Sequence, residues 1–556
     1  MSTVKSILIS DFTINNLGGF LSNSEGEPAI ASVIAPFNQV QQVLLDGKMD
    51  CWSANPDFAV VWCQPERVIY SFNSLLNNEN VKIEILLKEV DQFSELLKNL
   101  SGRVKFTLVA SFTIDPKRFT GLTAYKEAGI IQVLQQLNLR LSKNLSETNS
   151  FYLLDAQQWI NTAGTNAYQD KLWYLSKIPF HNSVFEKAAR EIKSAVRGIL
   201  GLSKKLIIVD LDDTIWGGIV GDAGMENLVL GGHDPLGEAY ADVQRELKSL
   251  VNKGILLGIV SKNEESTALD AIEKHLEMFI RKKDLAGWKI NWNDKAQNIS
   301  DLVKQLNLGL DFVIFIDDNP VERARVREAL PAVFVPEMPS DKLLYPSFIR
   351  SLDCFNTTAA SREDAERTKL YKEEEFRSQS LNTFQSLEEW LKTIDIKIKA
   401  EPVSKKNIQR VAQLLNKTNQ MNLRTRRMSE QGIMDWLENK TNLMWAFSVS
   451  DKFGDAGLTG ITGVSILDGN AQLTDFILSC RVMGRKTEEM MLGFAIQQAA
   501  KNKYKKLVAE YLPTEKNKPC LGFFENSGMN RTNTKFEWDC AKHYTVPPYI
   551  NFTHEI

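Results

Sequence analysis

Residues 206–218, LIIVDLDDTIWGG, constrain this chain more than any other stretch. Four apolar residues run directly into Asp210, Asp212, Asp213 and Thr214. So short and uninterrupted an apolar run reads as a parallel strand buried on both faces. Acid groups at its carboxyl end then lie where open α/β sheets keep their ligands.

A chain of 556 residues is too long for one hydrophobic core, and about three domains are expected. A net charge of −3 leaves no basic surplus for nucleic acid. Residues 1–19 hold one short apolar patch and an acid just after it, which is not the layout of a signal peptide. No apolar run is long enough to span a bilayer, so no membrane role is expected. The six cysteines, Cys51, Cys63, Cys354, Cys480, Cys520 and Cys540, form no CxxC pair and no zinc spacing. They read as free thiols of a cytoplasmic protein.

The fold class expected is α/β in three domains. Residues 1–201 alternate β-rich runs (VKSILIS, DFAVVWC, VKFTLVAS) with stretches of helical spacing, the order of a parallel sheet flanked by helices. Residues 202–357 open on the acidic strand end and continue with a helix that Asp234 and Pro235 start and Gly254 stops. The strand ILLGIVSKN ends in Ser261, Lys262 and Asn263, Lys295 stands at a helix start, and DFVIFIDDNP ends in Asp317 and Asp318. Residues 358–395 carry few large apolar side chains and read as a charged helical linker. Residues 396–556 begin with a strand, IKIKAEPV, and an amphipathic helix with Ile408, Val411, Leu414 and Leu415 on one face.

In order and spacing, Asp210 with Asp212, then Ser261, Lys295, and Asp317 with Asp318 resemble the four motifs of the haloacid dehalogenase superfamily. The resemblance implies a Rossmann-like parallel sheet and phosphoryl transfer to a carboxylate beside Mg²⁺, because two anions must approach each other and the metal removes the repulsion. Asp210 would be the nucleophile and Asp212 the acid and base. Thr214, Ser261, Lys262 and Lys295 would hold phosphoryl oxygens, with Lys295 also compensating transition-state charge. Asp210, the Asp212 carbonyl, Asp317 and Asp318 would form the oxygen shell of the metal. The intervals between these motifs are too short for an inserted cap domain, so the site should admit something bulky, such as a group tethered to a carrier protein.

The third region resembles the GNAT acyltransferases, an α+β fold, in two places. Arg481-x-x-Gly484 begins a loop of the kind that cradles phosphate at a helix start, although Lys486 stands where that superfamily has Gly or Ala. Asn517, Phe524, Gly528 and Met529 match a late helix of the same fold. The first region is similar to a degenerate SGNH hydrolase, a three-layer α/β fold. Such an esterase needs a nucleophilic Ser and an Asp-x-x-His base. Ser10 and His181 exist, but Ile178, Pro179 and Phe180 precede the histidine, so a scaffold or docking role is expected.

The whole arrangement resembles the FkbH family, most specifically at DLDDTIWGGIVGDAG, FIDDNPVERARVR, NKTNQMNLRTRR and ILSCRVMGRKTEE. What that resemblance implies is a glyceryltransferase and phosphatase. It would dephosphorylate 1,3-bisphosphoglycerate and load D-glyceryl onto the phosphopantetheine thiol of an acyl carrier protein for polyketide biosynthesis. Arg481 and Gly484 would then face the phosphate of the carried phosphopantetheine. Cys480, directly before Arg481, is the candidate thiol for an acyl-enzyme, since a neighbouring cation lowers a thiol's pKa. The competing readings are a phosphatase of a small metabolite or sugar with a fused N-acetyltransferase, and a noncatalytic docking protein.

Overall fold

The computed structural model describes residues 4–23, 28–117, 121–126, 129–146, 148, 150–357, 377, 380, 384, 386–467, 469–514 and 516–555. The chain divides into two compact units, Met1–Arg197 and Gly198–Ile556. The second and third regions fall in one unit. The architecture is mixed α/β with two all-parallel sheets, as expected.

The first unit holds five parallel strands, β1 (Val4–Ser10), β2 (Ile30–Ile34), β3 (Phe58–Trp62), β4 (Phe106–Ala110) and β5 (Phe151–Leu154), in the order β2-β1-β3-β4-β5. Burial on both faces explains why β3 is apolar throughout and β4 apolar but for Thr107. One face is covered by the helices Ile83–Lys98 and Ile130–Ser146. Their apolar residues recur at helical spacing, Leu86, Val90, Phe93 and Leu97 on one and Val133, Leu137 and Leu141 on the other, and all lie in one core. Each contributes about 1.5–3 kcal/mol by leaving water.

The second region is built on β6 (Leu206–Val209), β7 (Leu256–Ser261), β8 (Leu285–Ile290) and β9 (Val313–Ile316), all parallel, in the order β8-β7-β6-β9. The chain leaves β6 toward β7 and later returns to β9 on the other side of β6. The crevice between β6 and β9 is therefore the switch point where such sheets bind ligands. The helix Pro235–Asn252 starts as its sequence predicts, with the Asp234 side chain accepting the Leu236 N–H at 3.4 Å. Gly254, at φ +89°, permits the turn back into β7 that a side chain would strain.

The expected linker at 358–395 falls for the most part outside the described residues. Its end forms the short helix Leu387–Leu391, capped by Ser386. The third region carries a nine-stranded mixed sheet of β10 (Lys397–Pro402), β11 (Met421–Asn422), β12 (Leu443–Asp451), β13 (Gly454–Leu467), β14 (Asn470–Leu478), β15 (Lys506–Glu510), β16 (Asn530–Thr532), β17 (Lys535–Asp539) and β18 (Asn551–His554). The order is β16-β17-β15-β14-β13-β12-β10-β18, with β11 added to β14. The β14–β15 and β10–β18 pairs are parallel and the other pairs antiparallel. Among the described residues, no helix is long and apolar enough to cross a membrane.

Candidate active site

The ends of β6, β7 and β9 and the start of the helix Lys295–Gln305 converge on one buried point. Asp210, the first residue after β6, is 6% exposed, and Asp317, the first after β9, is fully buried. Lys295 lies between them, with Nζ 3.1 Å from Asp210 Oδ1 and 2.6 Å from Asp317 Oδ2. One carboxylate oxygen from each of Asp210, Asp317 and Asp318 lies within 4.8 Å of the others.

Two carboxylates so near a third, with one ammonium among them, are short of positive charge. Burial pushes Asp210 up to about 6, although Lys295 pulls the other way, and Asp317 also raises it. Burial likewise raises Asp317 and Asp318. For Lys295 burial alone would favour the neutral amine, but the Asp210 and Asp317 carboxylates outweigh it and hold the ammonium above its usual range. Asp210 Oδ1 is buried, with the Lys295 ammonium 3.1 Å away and no well-aligned hydrogen bond. An oxygen in that state, in an all-carboxylate cluster, suits a hard divalent cation.

Asp212 is turned away from this cluster. Its Oδ1 accepts the Trp216 indole N–H at 2.8 Å and the Val220 backbone N–H at 3.1 Å, and its Oδ2 accepts the Asn263 amide at 2.9 Å. Asn263 also donates to the Ser261 hydroxyl at 3.2 Å, which ties the acid–base candidate to the phosphate-binding candidate. Trp216 and Asn263 were not singled out from sequence for this role. The signal was there in the SKN triplet and in the tryptophan of DDTIWGG, but not the partner each would meet.

Two residues expected at the phosphate have other partners. The Thr214 hydroxyl accepts the Asp318 N–H at 3.1 Å and faces Asp318 Oδ1 at 3.4 Å, so it braces one end of the carboxylate cluster. Lys262 is paired with Glu322 at 2.6 Å, which satisfies its charge at the rim. Asp213, with φ +54°, is held by Lys342 at 2.8 Å and by the Gly218 N–H at 3.2 Å, so it shapes the loop. Arg323 donates to the Asp317 and Asp318 carbonyls at 2.8 and 2.7 Å and fixes the far side.

In the third region, the Gly484 N–H donates to the protein's own Glu488 carboxylate at 3.1 Å. Arg481 Nη1 is buried without a hydrogen bond. The backbone at Cys480 belongs to a single short turn after β14, and its side chain lies outside the described residues. In the first unit Ser10 Oγ accepts the Phe12 N–H at 3.1 Å, while His181 Nδ1 meets the Ser183 hydroxyl at 2.9 Å. Each has a local partner, and no Ser–His pair of a hydrolase is made by these bonds.

A buried carboxylate at a switch point, paired with lysine and flanked by two further carboxylates, suits phosphoryl transfer beside a divalent cation. Residues 24–194 match the model of the FkbH N-terminal domain. The match is to the family that the motifs of this chain resemble, and it covers about a third of the chain. A solved structure described as the N-terminal part of the protein BF1531 from Bacteroides fragilis, containing a phosphatase domain complexed with Mg, is similar to it. That match has 27% identity, covers 64% of this chain and 95% of that one, and has a TM-score of 0.57. The ribosomal-protein-S18-alanine N-acetyltransferase of Escherichia coli matches over 26% of this chain and 94% of its own, at 9% identity and a TM-score of 0.21. A spermidine N-acetyltransferase SpeG mutant from Vibrio cholerae matches over 26% and 95%, at 11% identity and 0.21. No curated protein matches the sequence.

Proposed function

We propose that this protein is a Mg²⁺-dependent phosphatase and glyceryltransferase that takes 1,3-bisphosphoglycerate, removes phosphate and loads D-glyceryl onto the phosphopantetheine thiol of an acyl carrier protein for polyketide biosynthesis. The observation that carries the phosphatase half is the buried set of Asp210, Lys295, Asp317 and Asp318. Asp210, Asp317 and Asp318 would hold the Mg²⁺ by carboxylates and Asp212 by its carbonyl. A bound Mg²⁺ supplies neutralisation of the phosphoryl charge and of the carboxylates that face it.

The chain's own residues then divide the work. An Asp210 oxygen attacks phosphorus, and the bond from phosphorus to the leaving oxygen breaks as Asp212 gives that oxygen a proton. Water attacks the resulting aspartyl phosphate, Asp212 takes a proton from it, and Asp210 is released with phosphate. Ser261 and Lys295 hold phosphoryl oxygens throughout. Trp216, Val220 N–H and Asn263 fix where the Asp212 carboxyl points.

The acyl half rests on the resemblance to the FkbH family and on the short intervals between the motifs, which leave room for a carrier-borne group. The order of strands in the third region, with a parallel β14–β15 pair followed by a helix that starts at Thr487, supports a GNAT-like reading. The all-parallel sheet of the first unit supports the SGNH-like one. In the acyl step a Cys480 thiolate would attack the acyl carbonyl, forming the thioester as the bond to phosphate breaks, and the carrier thiol would take the glyceryl group from it. Burial pushes the Cys63 thiol well above its ordinary range and Cys520 up to about 12, which speaks against either as that nucleophile.

Intact-mass spectrometry of a holo carrier protein incubated with 1,3-bisphosphoglycerate, Mg²⁺ and this protein tests the reading. A glyceryl adduct on the pantetheine arm is expected, and its loss with Cys480→Ala. Phosphate release with no adduct on any carrier offered would overturn the acyl half.

A further inference from the structure

The loop after β9 carries two of the three clustered carboxylates, and it is fastened from behind. The Asp317 and Asp318 carbonyls both accept from Arg323 Nη1, at 2.8 and 2.7 Å. Arg323 lies one turn into the helix Pro320–Ala329 and is 5% exposed. Its own backbone N–H donates to the Asn319 carbonyl at 3.1 Å, so the side chain folds back from the first helical turn onto the loop before it.

The other polar groups of the loop are engaged too. The Asp318 N–H donates to Thr214 Oγ1 at 3.1 Å, and the Asn319 N–H donates to Asp317 Oδ1 at 2.9 Å. Asp317 Oδ2 meets the Lys295 ammonium at 2.6 Å. Two adjacent carbonyls that converge on one cation fix the peptide planes of the turn. They thereby fix the directions in which the Asp317 and Asp318 side chains leave the backbone to reach the cluster with Asp210.

Arg323 is itself held in place. Its Nη2 lies 3.1 Å from Glu337 Oε2, and the other oxygen of Glu337 is paired with Arg327 at 2.5 Å. Arg327 Nε in turn donates to the Val335 carbonyl at 3.0 Å. Arg323 Nε is buried without a hydrogen bond. A buried guanidinium with an unpaired N–H contributes little to stability, and an apolar side chain of similar size often does as well or better. An apolar side chain could not hold two carbonyls.

We propose that Arg323 is a positioning residue for the metal loop and Glu337 its anchor. Acting through the backbone and not as a ligand, Arg323 sets how tightly the Asp317 and Asp318 carboxylates hold Mg²⁺. The proposal rests on the reading of this cluster as a Mg²⁺ site. Groups that orient metal ligands from outside change metal affinity by about ten- to a hundredfold when they are removed.

Calorimetric titration of the full chain with MgCl₂ tests it. The wild type should bind, and Asp317→Asn should lose binding. Arg323→Met should bind about ten- to a hundredfold more weakly. Glu337→Gln, at a side chain 69% exposed, should fold as the wild type does and bind about two- to fivefold more weakly, the scale of one exposed ion pair. In both variants excess Mg²⁺ should restore most of the phosphate release, because the loss lies in metal affinity and not in the chemical step. Wild-type affinity in Arg323→Met would overturn the proposal, and so would a loss of phosphate release that saturating Mg²⁺ does not restore. If Arg323→Met does not fold, wild-type affinity in Glu337→Gln overturns it. A wild type that takes up no Mg²⁺, or an Asp317→Asn variant that takes it up unchanged, would overturn the reading of the cluster together with the proposal.

Discussion

Asp11 and Asp210 hold equivalent places in two parallel sheets. Each is the first residue after the strand that borders its sheet's switch point, β1 in one and β6 in the other. Each is buried, and burial pushes each carboxyl up, Asp11 to about 7 and Asp210 to about 6. Their neighbours differ. Asp210 faces Lys295, Asp317 and Asp318. Asp11 accepts the Gln64 N–H at 2.8 Å and has Cys63 beside it, and its Oδ2 is buried without a hydrogen bond. The next residue, Phe12, packs on Trp62 and Phe180, each at 5.4 Å between ring centres. An acid at the end of a central strand is therefore a place for chemistry, not chemistry itself. A buried cation and further carboxylates make the difference.

The largest effect that sharpens this comparison is at the cation. Lys295→Met should lower phosphate release by about a hundred- to a thousandfold, the usual loss when one preorganised donor to a developing charge is removed. Steady-state kinetics would show it, and a loss of under about threefold would mean that the buried cation does not set the two strand ends apart.

Next comes the residue that aims the acid. Asn263→Ala should slow hydrolysis of an alkyl phosphate by about ten- to a hundredfold, the scale of misplacing a catalytic group. It should slow p-nitrophenyl phosphate much less, because that leaving group departs without a proton. An equal loss on both substrates would reduce Asn263 to a structural role.

At the other strand end the expected effect is on stability alone. The folded Asp11 carboxyl titrates at about 7 and the unfolded one near its ordinary 3.8, so the folded state binds the proton more tightly in between. The stabilisation from protonated Asp11 is fully present below about pH 4, falls as pH rises, and is lost above about 7, a total of about 4 kcal/mol. Asp11→Asn should flatten that slope in thermal melts between pH 5 and pH 8, with phosphate release unchanged. The smallest effect is expected for Ser10→Ala and His181→Ala, whose side chains have only local partners. Neither should alter phosphate release, and any esterase activity that either abolished would place chemistry at the wrong strand end.

The parallel sheets and the strand-end acids were legible in the sequence because they depend on local pattern, a short apolar run followed by polar residues. Chain order alone set Asp210, Ser261, Lys295 and Asp317 in series. What pattern could not convey was pairing at a distance. Thr214 and Lys262 stand among phosphate-binding candidates in sequence, yet their partners are Asp318, 104 residues on, and Glu322, 60 residues on. Met421 and Asn422 lie inside NKTNQMNLRTRR, but nothing local shows that their backbone joins β14. A glycine with a free N–H and one whose N–H is engaged by Glu488 read the same.

Phosphoryl transfer as proposed requires Asp210 as the nucleophile. Acid quenching of the full chain during turnover with Mg²⁺ and a phosphate ester, followed by peptide mass spectrometry, tests it most directly. A phosphoryl group on Asp210 that disappears in Asp210→Asn, together with loss of phosphate release, is the predicted result. Phosphate release at the wild-type rate by Asp210→Asn would contradict it.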